Sequence, residues 1–170
     1  MNATLENIFC KPRTGNERGL PKFPVPRAAI TALGVEGDFN RYRHEKKADS
    51  PDMAVLLLPA EILDELVAEG WPVRPGDLGE NLITRGIANA SLGVGSRLRI
   101  GAVEIELTEA AEPCRTLFTL PYVGTENGSR FVQTLEGRRG WYARVTKPGE
   151  VAAGDVVEIV DETATASRYE

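Results

Sequence analysis

The chain has 170 residues, 42% hydrophobic and 26% charged, with a formal net charge of −5. Those values suit one soluble, globular domain spanning residues 1–170, and they disfavour a disordered chain or one that coats nucleic acid. No apolar run approaches the ~20 residues of a membrane span, and Met1-Asn2-Ala3-Thr4-Leu5-Glu6-Asn7 lacks the basic and apolar parts of a secretory signal.

In chain order, residues 1–10 read as a strand whose apolar content is Leu5, Ile8 and Phe9. A loop rich in Pro, Gly and Arg follows to Pro26, then a strand over Arg27 to Leu33 and a polar connection from Gly34 to Ser50. Met53-Ala54-Val55-Leu56-Leu57-Leu58 is continuously apolar, as in a strand buried on both faces. Pro59 to Glu69 predicts a helix with Pro59 first, Ile62, Leu63, Leu66 and Val67 inward, and Gly70 ending it.

Arg97 to Ile100 and Val103 to Leu107 predict a hairpin closed by Gly101-Ala102 in a type II′ turn. The register sets Ile100 against Val103 and Leu98 against Ile105 on the core face. On the wet face Arg99 meets Glu104 and Arg97 meets Glu106. Arg115 to Leu120 predicts a short helix, and Ser129 an N-cap for another carrying Phe131 and Leu135. Trp141 to Thr146 and Val156 to Val160 complete the strands, joined through Pro148-Gly149 and Gly154-Asp155 turns. The tail, 162–170, reads as flexible. Many short strands with few helices predict a mainly β, antiparallel, barrel-like domain.

Two cysteines 104 positions apart make no disulfide framework, which favours a reducing cytoplasm. Cys114, between Pro113 and Arg115, is the residue most suited to chemistry. Pro113 as first helical residue would set the sulfur at a helix N-terminus beside a guanidinium, a setting that favours thiolate. A thiolate serves as nucleophile, sulfur carrier or soft-metal ligand.

Three further stretches carry polar groups at suggestive spacing. Pro75-Gly76-Asp77-Leu78-Gly79-Glu80-Asn81-Leu82 is either a self-bonded turn or a loop presenting N–H groups and the Asn81 amide to a ligand. The run from Gly37 to Lys47 brings Arg41, Arg43, Lys46 and Lys47 around His44, the only histidine of the chain. Gly137-Arg138-Arg139-Gly140-Trp141-Tyr142-Ala143-Arg144-Val145 places guanidinium groups beside aromatic rings, a pairing suited to planar, phosphorylated anions. With one histidine, a two-histidine zinc site is excluded, and no Cys-His-Asn protease signature flanks Cys114. Gly-x-Ser-x-Gly, Gly-x-x-x-x-Gly-Lys and Gly-x-Gly-x-x-Gly are absent.

Taken in order, these stretches resemble the MOSC family, named for the C-terminal domain of molybdenum-cofactor sulfurase. The elements are Val35-Glu36-Gly37-Asp38 with His44, Ala54-Val55-Leu56-Leu57, the loop from Pro75 to Leu82, Pro113-Cys114, Gly140 to Val145, and Gly154-Asp155. They span about residues 25–160.

The resemblance implies a β-rich barrel and makes Cys114 the hallmark cysteine, which either carries a persulfide or ligates molybdenum in a bound molybdopterin cofactor. It nominates Arg43, His44, Gly79, Glu80, Asn81, Arg115, Arg139 and Tyr142 as cofactor-binding residues. It also implies a small-molecule N-hydroxylated substrate, a separate electron-transfer protein or sulfur donor as partner, and no role for nucleic acid or membrane. One departure bears on substrate choice: Glu45-Lys46-Lys47 follow His44 where N-hydroxyl reductases of the family commonly have Gly-Gly. The resemblance is to a stand-alone member, expected to act without the aminotransferase-like sulfurase domain and the extra N-terminal β domain of larger relatives. A third reading keeps the fold as a non-enzymatic binding module.

Overall fold

A computed structural model describes residues 2–14 and 19–160. The expected flexible tail lies outside the described residues.

The strands are β1 (Ala3–Cys10), β2 (Phe23–Val25), β3 (Arg27–Thr31), β4 (Gly34–Val35), β5 (Val55–Pro59), β6 (Leu82–Arg85), β7 (Arg97–Ile100), β8 (Val103–Ala110), β9 (Trp141–Lys147), β10 (Gly149–Ala152) and β11 (Val156–Ile159). The helices are α1 (Arg41–Lys47), α2 (Ala60–Ala68) and α3 (Gly124–Thr134). The main sheet runs β11-β7-β8-β9-β5-β6-β1, and β1 pairs back onto β11. Seven strands thus close a barrel, with β2 hanging on the flank of β1. A smaller sheet, β10-β3-β4, lies beside it. Closure removes the unpaired edges of the main sheet.

The pairings are antiparallel except β5 with β6, which run parallel. The chain cannot turn directly between parallel neighbours, so α2 lies in the β5–β6 connection.

That arrangement explains why β5 is apolar throughout. Leu57 points into the barrel core with Leu5, Ile8, Leu82, Ile105 and Ala143. Leu58 points outward, into a second core built with Phe9, Ile62, Leu66, Ile83 and Phe131 beneath α2 and α3. Successive residues of β1 and β6 divide in the same way: Ile8 and Leu82 lie inside, Phe9 and Ile83 outside. Period-2 alternation between two hydrophobic layers reads as an uninterrupted apolar run.

The hairpin of β7 and β8 has the predicted register, Arg97↔Glu106 through Ile100↔Val103. Gly101 has φ +55, while Ala102 keeps a negative φ, as a type II′ turn requires. Arg99 Nε lies 3.0 Å from Glu104, and Arg97 Nε 3.7 Å from Glu106. These exposed pairs select the register more than they stabilise it.

Several elements differ from expectation. The polar connection contains α1, capped by the Asn40 side chain, which accepts from the Arg43 N–H. Pro59 is the N-cap of α2 and still belongs to β5. Ser129 lies inside α3, not at its start. Gly128 also sits inside α3, because a Cβ there would come within 2.6 Å of three atoms of the Phe118 ring. Tight packing of that ring outweighs the low helix propensity of glycine. No helix among the described residues is long and apolar enough to cross a membrane.

Candidate functional site

A cavity of about 490 Å³ opens between α1, the end of β8, and the start of β9. Cys114, Arg139, Tyr142 and Gly79 line it, with Lys22, Leu20, Thr116, Met53 and Leu56. Arg41, Tyr42, Glu45, Lys46 and Lys47 of α1 line it too. The volume falls in the ordinary small-molecule range.

Cys114 is half-buried and extended, at φ −142°, just before a short 3-10 turn over Arg115–Thr119. It is therefore not one step into a helix begun by Pro113. A five-residue turn supplies little dipole, so the sulfur draws its positive field from elsewhere in the chain.

That source is Arg139. The residue is 7% exposed, and its guanidinium sends Nη1 to Cys114 Sγ at 3.4 Å and to the Glu112 carbonyl at 2.7 Å. Nη2 donates to the Leu78 carbonyl at 3.3 Å. Burial pushes the Cys114 thiol up, but Arg139 and hydrogen bonds from Thr116 outweigh it, leaving the thiol below its ordinary value.

Arg139 lies two residues before β9, whose alternation serves two surfaces. Trp141, Ala143 and Val145 pack into the barrel, while Tyr142 faces the cavity. Gly140 makes the entry possible: at φ +96°, a Cβ would lie 2.3 Å from the Leu57 carbonyl oxygen.

Of the nine residues nominated from sequence, Cys114, Arg139, Tyr142 and Gly79 come together in the cavity wall. The other five are placed differently. Arg43 is buried and spends its guanidinium on the carbonyls of Leu33, Asp49 and Ser50, tying down the loop after α1. His44 pairs with Asp49, 2.9 Å away at the surface. Arg115 is exposed and outside the cavity lining.

Glu80 is fully buried and accepts from the N–H groups of Gly76 and Leu78. Burial pushes its carboxyl up to about 7 against the pull of those donors. Asn81 accepts from the Leu56 N–H and donates to Phe9 O and Asp38 Oδ2, locking β5 to β1. The self-bonded reading of this loop therefore holds for Glu80 and for Asp77, which accepts the Arg74 N–H at 3.0 Å, but not for Asn81, which bonds to neighbouring strands, while Gly79 contributes the bare backbone of the wall.

Sequence reasoning missed Lys22 and Thr116, and it read Arg41, Lys46 and Lys47 as a basic run around His44 without seeing them as the rim of a cavity. The rim follows from helical spacing: Arg41, Tyr42, Glu45 and Lys46 share one face once the run is read as a helix. Lys22 had no legible signal, because its partner Asp38 lies sixteen residues away and 2.6 Å distant.

No group of three or more His, Cys, Asp or Glu side chains suited to a metal occurs among the described residues. The wall offers one thiol sulfur instead, beside an Arg139 Nε that is buried without a hydrogen-bond partner. Such a donor set fits a metal that arrives inside an organic cofactor with ligands of its own, and does not fit a protein-only metal centre. With Lys22 neutralised by Asp38, Arg41, Lys46, Lys47 and Arg139 still exceed the three lining carboxylates Glu45, Glu109 and Glu112, so the cavity favours an anionic guest in an acidic protein.

Comparison with known proteins agrees with the fold. The YUAD protein from Bacillus subtilis superposes with a TM-score of 0.75 at 20% identity, over 94% of this chain and 96% of that one. Protein YiiM of Escherichia coli (strain K12) is 28% identical over 147 residues, 83% of this chain. A Gibberella moniliformis protein named "Reductase" is 30% identical over 87 residues. The chain spans 62% of the length of the former relative and 15% of the latter. The family model for the MOSC domain matches residues 44–158, and with the closed barrel this establishes that the chain belongs to the MOSC domain family.

Proposed function

We propose that this protein binds a molybdenum cofactor in the Cys114 cavity and works as an oxidoreductase on small N-hydroxylated compounds. The observation that carries the reading is an ionisable sulfur, 3.4 Å from a buried guanidinium, in the wall of a cavity of about 490 Å³. Bound there, the cofactor would supply two-electron oxygen-removal chemistry, taking N–OH to N–H with two protons and release of water. The electrons come from a separate flavin or iron–sulfur protein.

The chain's own residues have definable tasks. Cys114 offers the metal a thiolate, which is a soft ligand only when ionised. Arg139 favours its ionised form and holds a further N–H for an acceptor on the guest. Tyr142, Leu56 and Met53 form a buried floor that limits water at the sulfur. Lys46 and Lys47 on the α1 rim supply charge for an anionic substituent.

The test is expression in a molybdopterin-competent host, followed by metal analysis of wild type and Cys114→Ala. Wild type is expected to retain molybdenum and the variant to lose most of it, with any N-hydroxyl reductase activity. Equal content in the two proteins rejects the role given to Cys114.

A second reading, transient sulfur carriage, is favoured by the partial exposure of Cys114 at the cavity wall. Incubation with a cysteine desulfurase and substrate cysteine is then expected to leave a persulfide on the Cys114 peptide by mass spectrometry. An unmodified peptide would exclude it.

A further inference from the structure

The hydrogen bonds that aim Arg139 come from two parts of the chain. Glu112, which takes Nη1, lies two residues before Cys114, so that bond ties the guanidinium to the cysteine's own segment. Leu78, which takes Nη2, belongs to the tight loop on the other side.

Leu78 is itself held from behind. Its N–H donates to Glu80 Oε2 at 3.0 Å, while Glu80 Oε1 takes the Gly76 N–H at 2.5 Å. Gly76 and Gly79 have φ of +92° and +86°, so the loop curls around that carboxylate. The Leu78 side chain is fully buried in the outer core that also holds Phe9, Leu63 and Phe131. One residue therefore connects a buried acid to the guanidinium that touches the sulfur.

The geometry points to Glu80 as a positioning residue: by fixing Leu78, it holds Arg139 against Cys114 and so sets the reactivity of that sulfur. The carboxylate suits this task because it accepts at both oxygens. A carboxamide turns one acceptor into a donor, which then faces a backbone N–H that also donates. The Leu78 carbonyl loses its fixed direction, and Arg139 loses the bond that draws it from the far side.

This inference rests on Cys114 as the working sulfur of the site. It is read on the cofactor-free thiol, so a protein that takes up no molybdenum still decides it. The experiment follows iodoacetamide modification of Cys114 across pH in the full chain, resolved by peptide so that Cys10 is counted separately.

Glu80→Gln is expected to move the midpoint to higher pH and to slow modification at pH 7 several-fold. Leu66→Ala, a cavity in the outer core, is expected to lower stability yet follow the wild-type profile. In an Arg139→Gln background, Glu80→Gln is expected to add nothing. If Glu80→Gln does not fold, Glu80→Asp carries the same expectation, because its shorter arm cannot reach both N–H groups. A Glu80 variant that superimposes on wild type, or one that shifts equally without Arg139, overturns the proposal.

Discussion

Asp38→Ala is expected to lower the unfolding free energy by about 3–5 kcal/mol, the range for breaking one side of a buried ion pair. Lys22 and Asp38 meet at 2.6 Å, with side chains only 4% and 9% exposed. Asp38 Oδ1 also accepts the Lys11 backbone N–H at 2.9 Å, and Oδ2 the Asn81 amide at 2.9 Å. Alanine removes every acceptor at once and leaves an ammonium group in the cavity wall without its counter-charge.

Urea unfolding at neutral pH measures the effect as a fall in midpoint at constant slope. Asp38→Asn keeps an acceptor and is expected to lose less. Pairing Asp38→Leu with Lys22→Met removes both charges and is expected to recover part of the loss, though not all, since the Asp38 acceptors of the Lys11 N–H and of one Asn81 amide hydrogen are still lost. A loss below about 1 kcal/mol in Asp38→Ala would mean that water reaches this corner and screens the pair.

Asp38 and Lys22 also mark where the sequence stopped being informative. The hairpin of β7 and β8 was legible to the residue because two patterns, core alternation and charge pairing, constrain one register. The strand β5 and helix α2 were legible from apolar periodicity. Short strands such as β2 and β10 escaped, because three or four residues cannot establish a period. The helix α1 escaped because its inward group is Arg43, a charged residue that takes the place of an apolar stripe.

The site divides along the same line. Cys114 and Arg139 stand out by residue type, and the cavity confirms that they meet. Residue type misleads for Arg43, His44 and Asn81, where a charge or an amide suggests a ligand contact while serving backbone carbonyls, a surface carboxylate and a strand junction. Composition identifies groups able to bind; only three-dimensional partners decide whether those groups are already spent.

The other large effect is expected at Gly140, where Gly140→Ala should cost more than Gly137→Ala and disturb chemistry as well as stability. Both glycines have positive φ, +96° and +72°, so both substitutions carry the backbone strain of ~1–2 kcal/mol for a left-handed L residue. They differ in what the added methyl meets. At Gly137 nothing lies within 4 Å. At Gly140 the methyl would fall 2.3 Å from the Leu57 carbonyl oxygen and 3.2 Å from its carbon. Those atoms belong to β5, fixed on both sides by β6 and β9, so the clash cannot be relieved by a side-chain rotation.

Either β9 separates from β5 at its start or Gly140 moves away, and Arg139 is the next residue. The chain then withdraws the guanidinium from Cys114 while it loses the Ala111 N–H bond to the Gly140 carbonyl. Thermal unfolding is expected to rank wild type above Gly137→Ala, and Gly137→Ala above Gly140→Ala by several degrees. Thiol alkylation against pH is expected to separate them further, with Gly137→Ala on the wild-type curve and Gly140→Ala displaced to higher pH. Equal melting temperatures and superimposed curves for the two variants would show that β5 yields at Leu57, and that the approach of Arg139 does not depend on this contact.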